Sequence, residues 1–143
     1  MIVKGITIHN TGNIYSAQEN YNKIKLIKKP NLCHYLIDEK EIINTWPEQQ
    51  EASHTGKGYD YGNLHTIAIE ICRSQCEKEL YLKAQSNAVA FILSLLEKYD
   101  LSIKDIYFHN DFDENSWCPH RIIELYGNKE TFINQIVKGG KQV

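Results

Sequence analysis

The sequence has no excess of charge of either sign and no long hydrophobic run. Lysine and arginine number 16 against 18 for aspartate and glutamate, a formal net charge of −2, so we expect no binding to nucleic acid. The most apolar stretch, residues 88–96, has about half of the roughly 20 residues that span a bilayer, so we expect no membrane insertion. The N-terminus lacks a basic leader followed by a long apolar run. We therefore expect a protein made in the cytoplasm without a signal peptide.

Cysteine and proline are also sparse. The chain has three prolines and eight glycines in 143 residues, with 42% hydrophobic and 24% charged residues, which is typical of one folded domain. The four cysteines, Cys33, Cys72, Cys76 and Cys118, are unevenly spaced. Such spacing in a chain without a secretory leader does not indicate a disulfide framework. We interpret them as thiols, one of which is a candidate metal ligand.

Strand and helix signals alternate along the chain. Short apolar runs predict strands at residues 2–9, 33–37 with a return at 41–43, 66–72 and 105–109. Apolar residues at three- and four-residue steps predict a helix over residues 80–99, a shorter one after residue 128 and a less periodic one at 16–25. This order predicts an α/β fold, a single domain with a central mixed sheet flanked by helices. We expect the domain to cover residues 1–138, with a long functional loop at 47–63 and a C-terminal tail or linker start at 139–143.

Three of the predicted strands finish on a polar residue that follows an apolar one. These residues are His9, Glu70 and His109. Because side chains alternate along a strand, each of these polar side chains lies on the face opposite to that of the apolar residue before it. The three polar side chains converge if their strands are neighbours in the sheet. Cys118 follows His109 by nine residues, and Pro119 stiffens the turn after it.

Two imidazoles and a thiolate form a suitable ligand set for zinc. Three protein ligands leave the fourth position open, which is typical of a catalytic site. A nearby carboxylate, here Glu70, is then the candidate base that takes a proton from the attacking water and delivers it to a leaving amine. The chemistry that this pattern indicates is amide hydrolysis.

Several short motifs around these residues occur in one order. They are ITIHNTGN at residues 6–13, HYLID at 34–38, ASHTG at 52–56, IAIEIC at 67–72, HNDF at 109–112 and CPHRI at 118–122. This series resembles the type 2 N-acetylmuramoyl-L-alanine amidases. That family includes many phage endolysins and bacterial autolysins, and it shares its fold with peptidoglycan recognition proteins. The resemblance extends from residue 6 to about residue 136.

The resemblance implies a role for each matched residue. It implies that His9, His109 and Cys118 bind Zn²⁺ and that Glu70 activates the water. The bond cut would be the amide between N-acetylmuramic acid and the L-alanine of the peptidoglycan stem peptide. For substrate binding it implies His54 in the groove and His34 on a strand that borders the site. Trp117, which adjoins Cys118, is a further groove candidate because aromatic rings stack on sugar faces.

Two positions depart from the family pattern. Many members carry a lysine two residues before the last ligand, where this chain has Ser116, and many have an aromatic residue where it has Cys33. A hydroxyl at position 116 supplies a hydrogen bond to the substrate without a cation's charge, so the oxyanion would depend more on zinc or on backbone N–H groups.

Three other interpretations remain. The first is a non-catalytic module of the same fold that holds peptidoglycan without cutting it. The second is a zinc nucleobase deaminase, but the required His-x-Glu and Pro-Cys-x-x-Cys motifs are not matched around His9 and Cys118. The third is a structural zinc site, which needs a fourth protein ligand. For an amidase we expect action on the cell wall after release from the cell. The sequence does not indicate an oligomeric state.

Overall fold

The computed structural model describes residues 1–56 and 58–141 and contains five strands and five α-helices in that part of the chain. In chain order these are β1 Gly5–Asn10, α1 Ala17–Leu26, β2 Tyr35–Ile37, β3 Ile42–Asn44, α2 Tyr61–His65, β4 Thr66–Ile71, α3 Lys78–Lys98, β5 Ile106–Phe108, α4 His120–Tyr126 and α5 Lys129–Lys141. Among the helices of the described residues, none combines the length and the hydrophobicity that a membrane span requires.

The strands form one mixed sheet in the order β3-β2-β4-β1-β5. β1 lies parallel to both β4 and β5, β2 lies parallel to β4, and β3 pairs antiparallel with β2. This arrangement confirms the predicted α/β domain with a central mixed sheet. Because four of the strands run in the same direction, their carboxyl ends meet at one edge.

Helices cover both faces of the sheet. All six residues of β1 are buried, because apolar clusters lie above and below the strand. On one face, α3 contributes the predicted stripe, whose buried members include Ala84, Ala88, Ile92 and Leu95. On the other face, α1 packs Ala17 and Ile24 against Leu36 and Ala68. The second face carries the smaller of the two apolar clusters.

Two short helices lie where none was predicted. α2 occupies the end of the expected loop at residues 47–63, and α4 begins directly after Pro119. Each is too short to show a clear apolar period, so the sequence pattern does not predict them. α5 continues through residue 141, so residues 139–141 of the expected tail are helical. Residue 57 of the expected loop and residues 142–143 of the expected tail lie outside the described residues.

Glu48 connects the loop after β3 to the end of α3 through side-chain hydrogen bonds. Its carboxylate accepts hydrogen bonds from the hydroxyls of Tyr35 and Tyr99 and a 2.7 Å hydrogen bond from the Lys98 ammonium. Burial alone would raise the pKa of Glu48, but the three hydrogen bonds, that from Lys98 foremost, outweigh burial and hold the pKa below its usual value.

The lowered pKa of Glu48 predicts a pH-dependent contribution to stability. A carboxylate whose pKa is lower in the folded state stabilises the fold above its unfolded pKa, and that stabilisation is lost as pH falls through the folded pKa. We expect Glu48→Gln to lower the free energy of unfolding by on the order of 2 kcal/mol near pH 7. Urea unfolding should show this deficit shrinking below about pH 4, as the parent carboxylate becomes protonated.

The matched control is Glu97→Gln, which changes an exposed carboxylate on the last turn of α3. This variant should unfold at the same urea concentration as the parent, both near pH 7 and below about pH 4. Exposed carboxylates contribute little to the free energy of unfolding. An equal deficit in the two variants, or a Glu48→Gln deficit that is the same at both pH values, would contradict the assignment.

Candidate active site

The three polar residues at the strand ends meet at the carboxyl edge of the sheet. His9 on β1 is the direct partner of Glu70 on β4, and His109 follows Phe108, the partner of Ile8, at the end of β5. The His9 and His109 ring centroids are 4.9 Å apart. Strand alternation and parallel neighbours therefore place these side chains together, as the sequence pattern predicted.

His9, His109 and Cys118 form a group with the geometry of a metal site. Their ligand atoms all lie within 4.8 Å of one another, and His9 Nδ1 is 3.5 Å from Cys118 Sγ. The Nε2 atom of His109 is buried and has no hydrogen-bond partner. No further histidine, cysteine or acidic side chain of the described residues joins the group. A three-residue set of two imidazoles and one thiol fits zinc with one position open.

The Cys118 thiol also needs a neighbouring positive charge before it can ionise. Burial, with a further contribution from the charge of Glu70, raises the pKa of Cys118 to about 12. A metal cation reverses this balance because it binds the thiolate and displaces the proton. The donor set and the unpartnered nitrogen of His109 together fit a divalent metal ion.

Glu70 lies beside this group without a hydrogen-bond partner for one of its oxygens. Its Oε2 atom is buried and unpaired, and burial raises the pKa of the carboxyl group to about 8. An unpaired buried carboxylate is costly for folding, so its presence is better explained by function than by stability. A pKa near neutrality suits a group that takes up and then releases a proton.

A cavity of about 160 Å³ opens next to Glu70. Residues from the β1–α1 segment, α1, the segment before β2 and β2 itself line it: Thr11, Gly12, Asn13, Asn20, Ile24, Leu32, Cys33 and Leu36. Cys33, the departure from the family pattern, is thus at the wall of this cavity, where it is buried. The cavity therefore reaches Glu70 from the side of α1.

His54 lies behind His9 rather than on the groove surface. Its ring is buried, with Nδ1 2.9 Å from His9 Nε2 and Nε2 3.0 Å from the Gly62 carbonyl oxygen. Burial lowers the pKa of His54 to about 3, so the ring is neutral. The structure therefore brings His54 to the metal group but leaves it no free nitrogen for a substrate.

His34 is likewise removed from the groove. It is fully buried, its Nδ1 accepts the backbone N–H of Ala68 at 2.9 Å, and its Nε2 bonds to the Gln50 carbonyl oxygen at 2.8 Å. Burial lowers the pKa of His34. With both nitrogens bound to the main chain, His34 joins β4 to the loop after β3 and has no atom to offer a substrate.

Ser116 and Trp117 lie on the loop that carries Cys118. The Ser116 hydroxyl accepts the backbone N–H of Cys118 at 3.1 Å, so it helps to shape the loop. Trp117 is 74% exposed, which leaves its ring available to a ligand. Of the four predicted substrate-binding residues, Trp117 is exposed and Ser116 is half-buried, whereas His34 and His54 are buried.

Asn10 is a residue of the site to which the sequence analysis assigned no role. Its Oδ1 accepts the backbone N–H groups of Arg121 at 2.9 Å and Ile122 at 3.2 Å, and its Nδ2 donates to Tyr81 Oη at 3.0 Å. These bonds satisfy free N–H groups in the first turn of α4, which has no side-chain cap from Pro119. Asn10 therefore fixes the start of α4, and with it Cys118, against the strand that carries His9.

An open three-residue metal site with an adjacent acidic residue is typical of metal-dependent hydrolase domains. Within that class, the family model of N-acetylmuramoyl-L-alanine amidase matches residues 1–121. The chain belongs to the N-acetylmuramoyl-L-alanine amidase family.

Individual relatives support this assignment. The chain is 35% identical over 131 residues to the N-acetylmuramoyl-L-alanine amidase CwlA of a Bacillus species, covering 91% of this chain and 51% of CwlA. CwlA of Bacillus subtilis is 34% identical over 119 residues, with 82% and 43% covered. The chain thus spans about half the length of these curated relatives.

Solved structures agree with the fold. The structure of PlyL superposes with a TM-score of 0.83 at 32% identity, covering 95% of this chain and 84% of PlyL. The catalytic domain of XlyA superposes with a TM-score of 0.84 at 26% identity, with 95% and 87% covered. The mixed sheet and its helices are therefore those of this family's catalytic domains.

Proposed function

We propose that this chain is the catalytic domain of a zinc-dependent amidase of bacterial cell walls. Its reaction would be hydrolysis of the amide bond between N-acetylmuramic acid and the L-alanine of the stem peptide, as part of a phage endolysin or a bacterial autolysin. The observation that carries the proposal is the meeting of His9, His109 and Cys118 beside the unpaired carboxyl group of Glu70. We assign the catalytic domain to residues 1–138 and its place of action to the cell wall.

His9, His109 and Cys118 would hold the zinc ion. When bound, zinc supplies a Lewis acid that polarises the scissile carbonyl and lowers the pKa of water. The protein contributes the fixed ligands and one open position. Asn10 and Ser116 support this arrangement, because both bind the backbone of the segment around Cys118.

Glu70 would move the proton during the reaction. Its carboxylate takes a proton from the attacking water and then delivers that proton to the amine nitrogen of the departing L-alanine. The buried position of the carboxylate suits both steps, because it raises the pKa towards neutrality. One residue can therefore act first as base and then as acid.

The remaining contacts would bind the substrate around these groups. The cavity next to Glu70 would receive part of the stem peptide, and the exposed ring of Trp117 would stack on a sugar. The Ser116 hydroxyl keeps its hydrogen for a developing oxyanion, since the bond to Cys118 uses only its oxygen. This hydrogen bond would take the place of the lysine that many family members carry.

Digestion of purified peptidoglycan tests the proposal directly. The protein is first treated with a chelator, then restored with zinc, and the products are analysed by mass spectrometry. We expect stem peptides with a new L-alanine amino terminus to appear only in the zinc-restored sample. Peptidoglycan that stays intact but is retained on the protein would instead indicate a recognition module of the same fold.

A further inference from the structure

We propose that His54 is a positioning residue that fixes the tautomer of His9 and so aims the Nδ1 atom of His9 at the metal. This role rests on the proposed function, because it concerns the same zinc site. It differs from the substrate contact that the family resemblance implied for His54. The observation behind it is a chain of hydrogen bonds that runs from the Gly62 carbonyl through both imidazole rings.

The donor and the acceptor of each hydrogen bond in this chain follow from the Gly62 carbonyl group at its end. The Gly62 carbonyl oxygen can only accept, so His54 Nε2 carries a hydrogen and donates it across 3.0 Å. In a neutral ring the Nδ1 atom of His54 is then bare and accepts. Its neighbour at 2.9 Å, His9 Nε2, must therefore be the donor. This leaves His9 Nδ1 with a free lone pair, and that atom faces Cys118 Sγ at 3.5 Å.

The Gly62 end of the chain is rigid. Its carbonyl also accepts the Thr66 hydroxyl at 2.7 Å, which fixes the direction of the oxygen. A side chain at position 62 would not fit, since an added Cβ would lie 2.5 Å from Thr55 Cγ2 and 2.9 Å from Phe112 Cδ2. Glycine therefore permits the close approach of α2 to Thr55 and Phe112 at the residue whose carbonyl binds His54.

The His54 backbone is held as firmly as its ring. The side-chain oxygen of Asn63 accepts the backbone N–H groups of His54 at 2.8 Å and Thr55 at 3.0 Å. Asn63 in turn donates from its side chain to the Gly58 carbonyl at 3.1 Å. Gly62 thus binds the ring of His54, and its neighbour Asn63 binds the backbone of His54. This arrangement is expected of a residue that orients a metal ligand.

Two other roles for His54 are incompatible with this geometry. A direct metal ligand would need a nitrogen aimed at the ion, but His54 Nδ1 is aimed at His9 and the ring is not part of the three-residue metal group. A proton-transfer group for the substrate would need a free, accessible nitrogen, but His54 is 8% exposed and both ring nitrogens are hydrogen-bonded. The contacts of His54 are therefore consistent with a role in orienting His9.

The tautomers can be measured in the metal-free protein. Long-range ¹H–¹⁵N correlation spectra of ¹⁵N-labelled protein near neutral pH distinguish a protonated from a bare ring nitrogen. We expect both His54 and His9 to carry hydrogen on Nε2 and to have a bare Nδ1. A hydrogen on Nδ1 of either ring would overturn the inference, and this result depends neither on zinc nor on the stability of a variant.

Variants then test the effect on metal binding by chelator competition. His54→Leu removes both hydrogen bonds and should weaken zinc affinity by about 10- to 100-fold. His54→Gln offers an amide that can accept from His9 and donate to Gly62, so it should recover most of that loss. His65→Leu, at the end of α2, removes a histidine whose Nδ1 is 3.2 Å from the Ile2 carbonyl oxygen and which is not part of the metal group, so this variant should bind zinc as the parent does.

The outcomes separate the two proposals. Zinc affinity at the parent level in His54→Leu would overturn the positioning role. Equal losses of zinc affinity in His54→Leu and His54→Gln would also overturn it, because they would show that His54 acts through packing rather than through its hydrogen bonds. Failure of the parent and of His65→Leu to bind zinc would count against the proposed function instead. In that case the tautomers measured in the metal-free protein would still decide whether His54 orients His9.

Discussion

Glu70→Gln is expected to lose most turnover while keeping the metal and the fold. The amide has nearly the same shape as the carboxyl group, but it cannot accept a proton from water or deliver one to the leaving amine. Proton transfer by a positioned side chain contributes about 10²- to 10⁴-fold, so we expect a loss in that range. The rate of stem-peptide release, measured alongside zinc content and far-ultraviolet circular dichroism, checks this.

The zinc content distinguishes a catalytic from a structural role for Glu70. Zinc bound at the parent level with slow turnover supports the role of base, whereas turnover at the parent rate excludes it. A variant that loses zinc together with activity would show that the carboxylate helps to hold the metal. Glu97→Gln, which alters an exposed carboxylate on α3, is the matched control and should leave turnover unchanged.

The sequence predicted the sheet and the metal group for the same reason. Apolar runs mark the strands, and each run that ends on a histidine or a glutamate places that residue at the edge of the sheet. Parallel neighbours then bring His9, Glu70 and His109 together. Strand order itself depends on contacts between residues far apart in the chain, such as Leu36 with Glu70, which no local pattern reveals.

The supporting residues could not be predicted because their partners are distant in sequence. Asn10 is identified as a cap only when α4 is seen to begin beside it, more than 100 residues later in the chain. His54 and His34 have the chemistry of substrate-binding residues, but burial and bonds to backbone groups decide what they do. Residue type thus indicated the candidate ligands, which the fold brings together, whereas the hydrogen-bond partners of His54, His34 and Asn10 could be identified only from the fold.

The short helices illustrate the same limit. α2 has five residues, too few for an apolar period, and Asp60 caps it within a segment rich in glycine and polar residues that reads as a loop. Its position matters nonetheless, because Gly62 and Asn63 bind His54 from its first turn. A polar, glycine-containing segment therefore positions a residue of the candidate site, which its composition did not indicate.

Cys118→Ser is expected to lose zinc and activity together. A hydroxyl is a poorer zinc ligand than a thiolate, and only two imidazoles would remain. Substitution of residues that merely support a ligand costs about 10- to 100-fold in metal affinity, so loss of a ligand should weaken zinc binding by more than about 100-fold. The fold should persist, because Asn10 still caps α4 through backbone groups. Chelator competition and circular dichroism measure the two effects separately.

Cys76→Ser is the matched control for the loss of a thiol. Cys76 is exposed and lies outside the metal group, so this variant should bind zinc and release stem peptides as the parent does. If Cys118→Ser kept full zinc affinity, the site would hold its metal without the thiolate, and the three-ligand assignment would be wrong. If it kept activity after zinc had been stripped, the hydrolysis would not need the metal. Joint loss of zinc and activity in Cys118→Ser alone would tie catalysis to the metal group at the end of the sheet.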